Sequence, residues 1–314
     1  MPKQAVLLLA HGTPETIEQI PEYLRNVTGG RPLPHEVIEE IQHRYALIGR
    51  SPLTEITQAQ GRLVEAELAA VGERVPVYVA MRNWSPYITD IVSRMRADGV
   101  EEAAVLCLAP QNSRTSVGLY RSAVEAEAVG LRIDFTESWA QHPLLIEAFA
   151  ERLRPAWNKL TAEAGTPVPV LFTAHSVPVR TIQATEVQPA DPYADEARRT
   201  AELVAASEPE IPHWSFAFQS QGTSGGPWLG PTVEQTLETI AASGTKTVLL
   251  QPIGFLCDHV AILYDVDIFF REFAKKINLR LGRPESLNAS VTLARAIADL
   301  AHQGLVRLKL VRKE

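Results

Sequence analysis

The stretch VLLLAHGTP at Val6–Pro14 returns, almost letter for letter, as VLFTAHSVP at Val170–Pro178. A chain that repeats itself in this way is built from two related halves. The run before each histidine is of the continuous apolar kind that a strand buried on both faces requires. The repeat therefore constrains the fold to two α/β halves, each carrying a histidine (His11, His175) just past a buried strand. One such histidine alone reads as an ordinary packed side chain. Two at matched positions point to a site, because packing need not reproduce the same residue at both strand ends.

The rest of the chain fits that plan. Short β-runs alternate with amphipathic helical stretches, the pattern of parallel α/β sheets. In the first half the spacing predicts strands over Ala5–Leu9, Val75–Ala80, Glu102–Leu108 and Leu131–Phe135, and helices over Pro34–Leu47, Ile56–Val71 and Tyr87–Asp98. Leu144–Leu160 reads as a linking helix, and TAEAGTPVP breaks the chain before the second half. There the pattern predicts strands over Val168–Thr173, Trp214–Phe218 and Thr247–Pro252. It predicts helices over Pro192–Ala206, Thr232–Ala242, Val260–Lys275 and Val291–Gly304, the first opened by Asp191 and Pro192. The expected organisation is an N-terminal Rossmann-like domain over residues 1–145 and a C-terminal one over 146–314, the second carrying the linking and terminal helices. Ligands of open parallel sheets bind beyond the carboxyl ends of the strands. His11, Pro110, His175, Gln219 and His259 fall near such ends, so the two halves are expected to face one shared cleft.

Composition narrows the class of function. A chain of 314 residues with 46% hydrophobic and 21% charged residues is ample for two cores. A formal charge of −7 argues against a nucleic-acid binder. No apolar run approaches the roughly 20 residues of a membrane span, and the apolar N-terminal run is too short for a signal peptide. A cytoplasmic monomer with at most weak membrane association is expected. The two cysteines, Cys107 and Cys257, lack metal-ligand spacing and read as buried thiols. Two familiar signatures fail. A phosphohistidine reading of AHGTPE lacks the arginine that would hold a phosphate, since Ala10 occupies its place. The glycine-rich Gly222–Pro231 lacks the Gly-Lys-Ser/Thr ending of a P-loop and reads, with Pro227 and Pro231, as a rigid turn.

A set of motifs in fixed order carries a resemblance. HRYALIGRSPLTEIT (His43–Thr57), LAPQNSRTSVGLY (Leu108–Tyr120), TAHSVP (Thr173–Pro178), DPY (Asp191–Tyr193), FQSQG with PWLGP (Phe218–Gly222 and Pro227–Pro231), PIGFLCDH followed by LYDVDI (Pro252–Ile268) and SLN (Ser286–Asn288) together resemble the ferrochelatase family. These are lyases of haem biosynthesis that insert ferrous iron into a porphyrin. The resemblance covers nearly the whole chain. It implies a chelatase-like α/β fold of two Rossmann-like domains facing a porphyrin cleft. Ferrous iron and porphyrin would be substrates and haem the product, with no tightly bound cofactor. An iron–sulfur cluster is not expected, since two cysteines cannot supply its four ligands.

By the same resemblance His175 is the catalytic histidine and a metal-facing group, and His259 supports it. Metal insertion must remove two pyrrole protons, and a neutral imidazole can accept a proton or bind a divalent metal near pH 7. Arg44, Tyr45, Ser51 and Tyr120 match porphyrin-contacting positions of coproporphyrin III-type members, with Arg31 as a nearby cation. Guanidinium groups suit propionates because their fork matches a carboxylate. His11 matches a position that approaches the metal from the opposite face. The bland alternative is that it only bonds its own loop.

The pattern breaks at DHVAILYD. Where the family carries glutamate two residues after the histidine, this chain has Ala261. Asp265 lies one turn on and matches an outer metal-binding row, whose third position here is Phe269. The acidic track is reduced to Asp265, with Glu186 or Asp258 as helpers. Thr28 and Ser85 also depart from commoner arginine and histidine. Three readings stand: a ferrochelatase using coproporphyrin III or protoporphyrin IX, a porphyrin- or haem-binding protein without efficient insertion, and a chelatase of cobalt or nickel.

Overall fold

A computed structural model describes residues 2–222 and 225–311. Thr223 and Ser224, inside the glycine-rich turn predicted at Gly222–Pro231, lie outside the described residues, as do residues 312–314 of the terminal VRLKLVRKE. The chain divides into two compact units.

The first unit is built on four parallel strands, β1 (Lys3–Ala10), β2 (Val77–Met81), β3 (Val100–Cys107) and β4 (Arg132–Thr136), in the order β2-β1-β3-β4. Ala5–Leu9 of β1 are fully buried, which is why this strand reads as an unbroken apolar run. Its helices include α1 (Ile20–Val27), α2 (His35–Ile48), α3 (Leu53–Ala70), α4 (Ile88–Ala97) and α5 (Val117–Glu127). Ile88, Val92 and Met95 recur at helical spacing on α4 and join the core under β1 and β3.

The second unit repeats the plan. After α6 (Pro143–Ala164) come β5 (Val170–His175), α7 (Tyr193–Ser207), β6 (Trp214–Gln219), α8 (Val233–Ala242) and β7 (Thr247–Pro252). A short α9 (Val260–Leu263), a π-helix over Asp265–Phe270 and α10 (Arg271–Lys276) lead to β8 (Arg280–Gly282). The strand order is β6-β5-β7-β8, again wholly parallel. The start of α8 shows how locally such elements are specified. Thr232 accepts from the Gln235 N–H at 3.2 Å while the Gln235 side chain accepts from the Thr232 N–H at 3.1 Å, a closed capping box.

In both units the central strand runs first to one neighbour and then to the other. The connections diverge at the carboxyl end of β1 and of β5, the switch point where open α/β sheets bind ligands. His11 follows β1 and His175 ends β5.

Three features depart from expectation. The single helix predicted over Val260–Lys275 is three pieces, because Phe269 N–H reaches back five residues to Tyr264 C=O at 2.9 Å. α1, α5 and β8 are not among the predicted elements; β8 is three residues long, whereas α1 buries Ile20, Tyr23 and Leu24 at helical spacing. The last helix, α11 (Val291–Leu310), packs on α3, β3 and β4 and so belongs with the first unit, whereas the sequence grouped it with residues 146–314. Gly304 permits that packing: a Cβ there would lie 2.9 Å from Ala104 Cβ and 3.0 Å from Asp134 Oδ1. Arg307 then closes a forked pair on Asp134 at 2.6 and 2.8 Å. Among the described residues no helix is long and apolar enough to cross a membrane.

Overpacking a closed contact costs about 1–3 kcal/mol. Gly304→Leu is therefore expected to lower the unfolding free energy from urea titration by that amount, and Gln303→Leu, on the exposed neighbouring position, to change it by less than about 0.5 kcal/mol.

Candidate active site

In the second unit the site is assembled around the end of β5. His175 points its Nδ1 at the Ser176 carbonyl, to which it donates, so its Nε2 is the nitrogen left with a lone pair. Its backbone carbonyl accepts from the Tyr193 hydroxyl at 2.8 Å. Tyr193 is set by Asp191, whose Oδ1 accepts the Tyr193 N–H at 3.0 Å and whose Oδ2 accepts the Arg114 N–H at 2.7 Å. The DPY and NSR motifs thus act as braces behind the histidine. PWLGP does the same from the other side: Ser176 Oγ donates to Leu229 C=O at 2.9 Å.

Phe255 lies edge-on to His175, with ring centroids 6.1 Å apart, and 4.6 Å from the ring of His259. His259 donates from Nδ1 to Cys257 C=O at 3.1 Å, giving it the same tautomer as His175. Burial holds His175 below the usual imidazole range, opposed by its bond to Ser176. Burial likewise lowers His259 to about 4, opposed by the Cys257 carbonyl and assisted by the nearby His175. Both rings are neutral at pH 7. Burial raises Cys257 to about 12, so its thiol stays protonated.

The carboxylate row does not form as the sequence suggested. Ala261 presents only its backbone carbonyl, which accepts from Gln219 Nε2 at 3.0 Å, while Thr173 Oγ1 donates to Gln219 Oε1 at 2.6 Å. Asp265 is buried and receives the hydroxyl of Ser220, a residue held at φ 61°. The π-turn breaks the four-residue spacing beyond Asp265, and Phe269 is 42% exposed. Asp258 binds Ser286 at 2.6 Å and Arg283 at 3.4 Å, and Glu186 is exposed. Among the described residues no three His, Cys, Asp or Glu side chains come together as a metal site.

The first unit gathers a second polar cluster at the end of β1. His11 lies edge-on to Tyr23, centroids 6.0 Å apart, and against the Asn83 carboxamide. Tyr45 is buried, its hydroxyl 3.0 Å from Thr13 Oγ1. Burial raises the Tyr45 phenol, and burial raises Tyr23 and Tyr120 well above their ordinary range. Ser51 is buried, and its hydroxyl has no partner among the described residues. Tyr120 lies beneath the Arg82 guanidinium, 5.3 Å from ring to Cζ, and Arg82 Nε is buried with no partner among the described residues. The structure brings His11, Tyr45 and the unanticipated Tyr23, Arg82 and Asn83 to this strand end. Arg44 pairs along α2 with Glu40 at 2.9 Å, and Arg31 is exposed, bonding Thr28 C=O at 3.2 Å. The signal for Arg82 and Asn83 was their place just after β2, in MRNW. A cavity of about 510 Å³ at the opposite, amino end of the second sheet, lined by Pro169, Trp214 and Lys246, lies away from His175.

The neutral histidines have a consequence for stability. The unfolded chain protonates both below about pH 6.5, while the folded chain resists. Stability is therefore complete above that pH and falls as pH drops from about 6.5 toward 4. In urea titrations across this window His259→Gln is expected to lose less than the parent, by about 1 kcal/mol after allowance for partial exposure.

A model of the ferrochelatase family matches residues 3–305. The ferrochelatase of Acidobacterium capsulatum is 56% identical, over 98% of this chain and 96% of its own length. The coproporphyrin III ferrochelatase of Mycolicibacterium vanbaalenii is 36% identical, over 96% of this chain and 89% of its own. Among solved structures, the sirohydrochlorin chelatase SirB from Bacillus subtilis subspecies spizizenii, in complex with cobalt, aligns with a TM-score of 0.55 at 12% identity. That alignment covers 96% of this chain and 95% of SirB, a likeness of fold. The repeated strand–histidine plan, the motifs and these matches agree: the chain belongs to the ferrochelatase family.

Proposed function

We propose that this enzyme inserts ferrous iron into coproporphyrin III, with His175 taking up the pyrrole protons. The state of His175 carries the reading. Its ring is neutral, its tautomer is set by the Ser176 carbonyl, and Nε2 is the basic atom. The braces from Tyr193 and PWLGP fix where that atom points, which proton transfer requires. A depressed basicity suits a group that must accept a proton and then release it to solvent between turnovers.

The choice of porphyrin rests on the first unit's cluster. Coproporphyrin has four propionates where protoporphyrin has two, so it gains more from hydroxyls and cations. Tyr45, the partnerless Ser51 hydroxyl, Tyr120 and the Arg82 guanidinium supply such groups. A relative named coproporphyrin III ferrochelatase at 36% identity supports the same choice. His11 is read as facing the metal from this cluster. In the second unit Asp265 is the acid that remains near Ala261, and protons leaving His175 are assigned to it.

Ala261 favours a second reading, a porphyrin- or haem-binding protein with little insertion activity. The two separate under anaerobic conditions by following loss of free-base absorption with coproporphyrin III and protoporphyrin IX. The parent is expected to turn over coproporphyrin III faster, and His175→Ala to lose about a hundredfold or more. Ala261→Glu is expected to raise turnover. Haem binding by the parent, with no insertion by it or by Ala261→Glu, would establish the second reading instead.

A further inference from the structure

We propose that the cavity at the amino end of the second sheet is a holding site for the iron porphyrin product, with His213 as axial ligand to its iron and Lys246 as partner to a propionate. The proposal rests on the reading of the product as an iron porphyrin. The cavity, about 510 Å³, falls within the range of about 300–1,000 Å³ that small-molecule sites occupy. All its lining residues belong to the second unit. Pro169 lines it just before β5, and His175 closes the far end of that strand. At about 3.3 Å per residue those ends are about 20 Å apart, so the cavity is separate from the candidate active site.

The amino ends of strands ordinarily present N–H groups to water. Here Pro169 stands before β5 and Pro212 shortly before β6, and proline has no N–H. The carbonyls of Pro169 and His213 accept from Leu249 at 3.1 Å and from Val170 at 3.0 Å, so the backbone there is already committed. Trp214 supplies a wall. Its ring lies edge-on to the buried Phe172, centroids 5.9 Å apart, and the residue stays 38% exposed, a surface on which a flat ring can lie. Lys246 carries the one fixed charge among the lining residues and makes no ion pair among the described residues. No carboxylate lines the cavity, so it suits an anion. The carbonyls at the end of α8, which would oppose an anion, are drawn off: Ser243 Oγ donates to Ile240 C=O at 2.7 Å and Ser243 N–H to Thr239 C=O at 3.2 Å. The exposed His213 imidazole has no hydrogen bond among the described residues, while its backbone is held by Val170. Imidazole is the commonest metal ligand among side chains and a usual axial ligand of haem iron. A flat apolar ring, carboxylates and an iron with an open axial position match these three groups. The metal-free substrate lacks the third, so the site selects product over substrate.

The test titrates the full chain with ferric coproporphyrin, following the absorption spectrum and, by equilibrium dialysis, the amount bound. The parent is expected to take a second equivalent beyond the one held at the candidate active site, with the spectrum of a histidine-ligated iron porphyrin. His213→Ala is expected to lose that equivalent and its spectrum. Lys246→Glu is expected to weaken it about two- to fivefold, the worth of an exposed ion pair. Both positions are exposed, and initial rates of iron insertion are expected to stay at the parent's level in both variants. Metal-free coproporphyrin III is expected to leave the second site empty. A single equivalent in the parent, or a second one whose spectrum survives His213→Ala, overturns the proposal. So does a metal-free ring that fills the second site as tightly as the ferric one. A parent that takes the second equivalent yet inserts no iron overturns the insertion reading instead, and the spectrum still reports what His213 does.

Discussion

The structure depends on two strands that are buried on both faces. β1 and β5 lie between parallel neighbours, and their apolar runs have no side open to water. The backbone polar groups there must be satisfied within the sheet, and where the strand ends the next residues inherit the same demand. They meet it by crossing to the neighbouring strand's continuation. Arg82 and Asn83 donate to Ala10 and His11 in the first unit, and Ser176 donates to Gln219 in the second. The loops that carry the two histidines are thereby as fixed as the strands themselves. Gly12 shows how tight this is: it sits at φ +82°, where a Cβ would fall 2.9 Å from the Trp84 backbone.

That rigidity also sets the electrostatics. A side chain placed just past a buried strand is half in the core, so the environment favours its uncharged form. His175 and His259 are held neutral and share a tautomer because each Nδ1–H has a backbone carbonyl within reach. The tyrosines around His11 are held protonated by the same burial. Formal charges near the histidines of the second unit are tied off: Asp191 on backbone N–H groups, Asp258 and Asp267 on Arg283. Ala261 is consistent with this economy of charge, and Asp265 is bound by Ser220.

Much of the plan was legible in the sequence. Period and turn residues are local properties, so the described strands other than β8, and the helices α2, α3, α4, α6, α7 and α8, were found within about four residues of their observed ends, while α11 runs six residues past its predicted end. The matched histidines were found because they repeat. The misses have physical causes. The π-turn follows from one backbone bond, Phe269 to Tyr264, which no side-chain period announces. α11 carries an ordinary amphipathic pattern, and only the close approach at Gly304 and the Asp134–Arg307 pair reveal which sheet it covers. Motifs that identify the family, DPY and PWLGP among them, bond the backbone at His175 and the Ser176 hydroxyl.

The sequence by itself determined the doubled α/β plan, the buried central strands and the placing of a histidine at each of their ends. These are consequences of where apolar residues stand along the chain. The tertiary structure alone decided what each polar side chain near those ends is committed to. Asp191 is engaged by Arg114, Ser51 and Arg82 keep buried atoms with no partner among the described residues, and Asn83 lies across a ring 72 positions earlier in the chain. Such commitments arise between residues distant in sequence, and a hydrogen bond leaves no periodic trace in the chain that forms it.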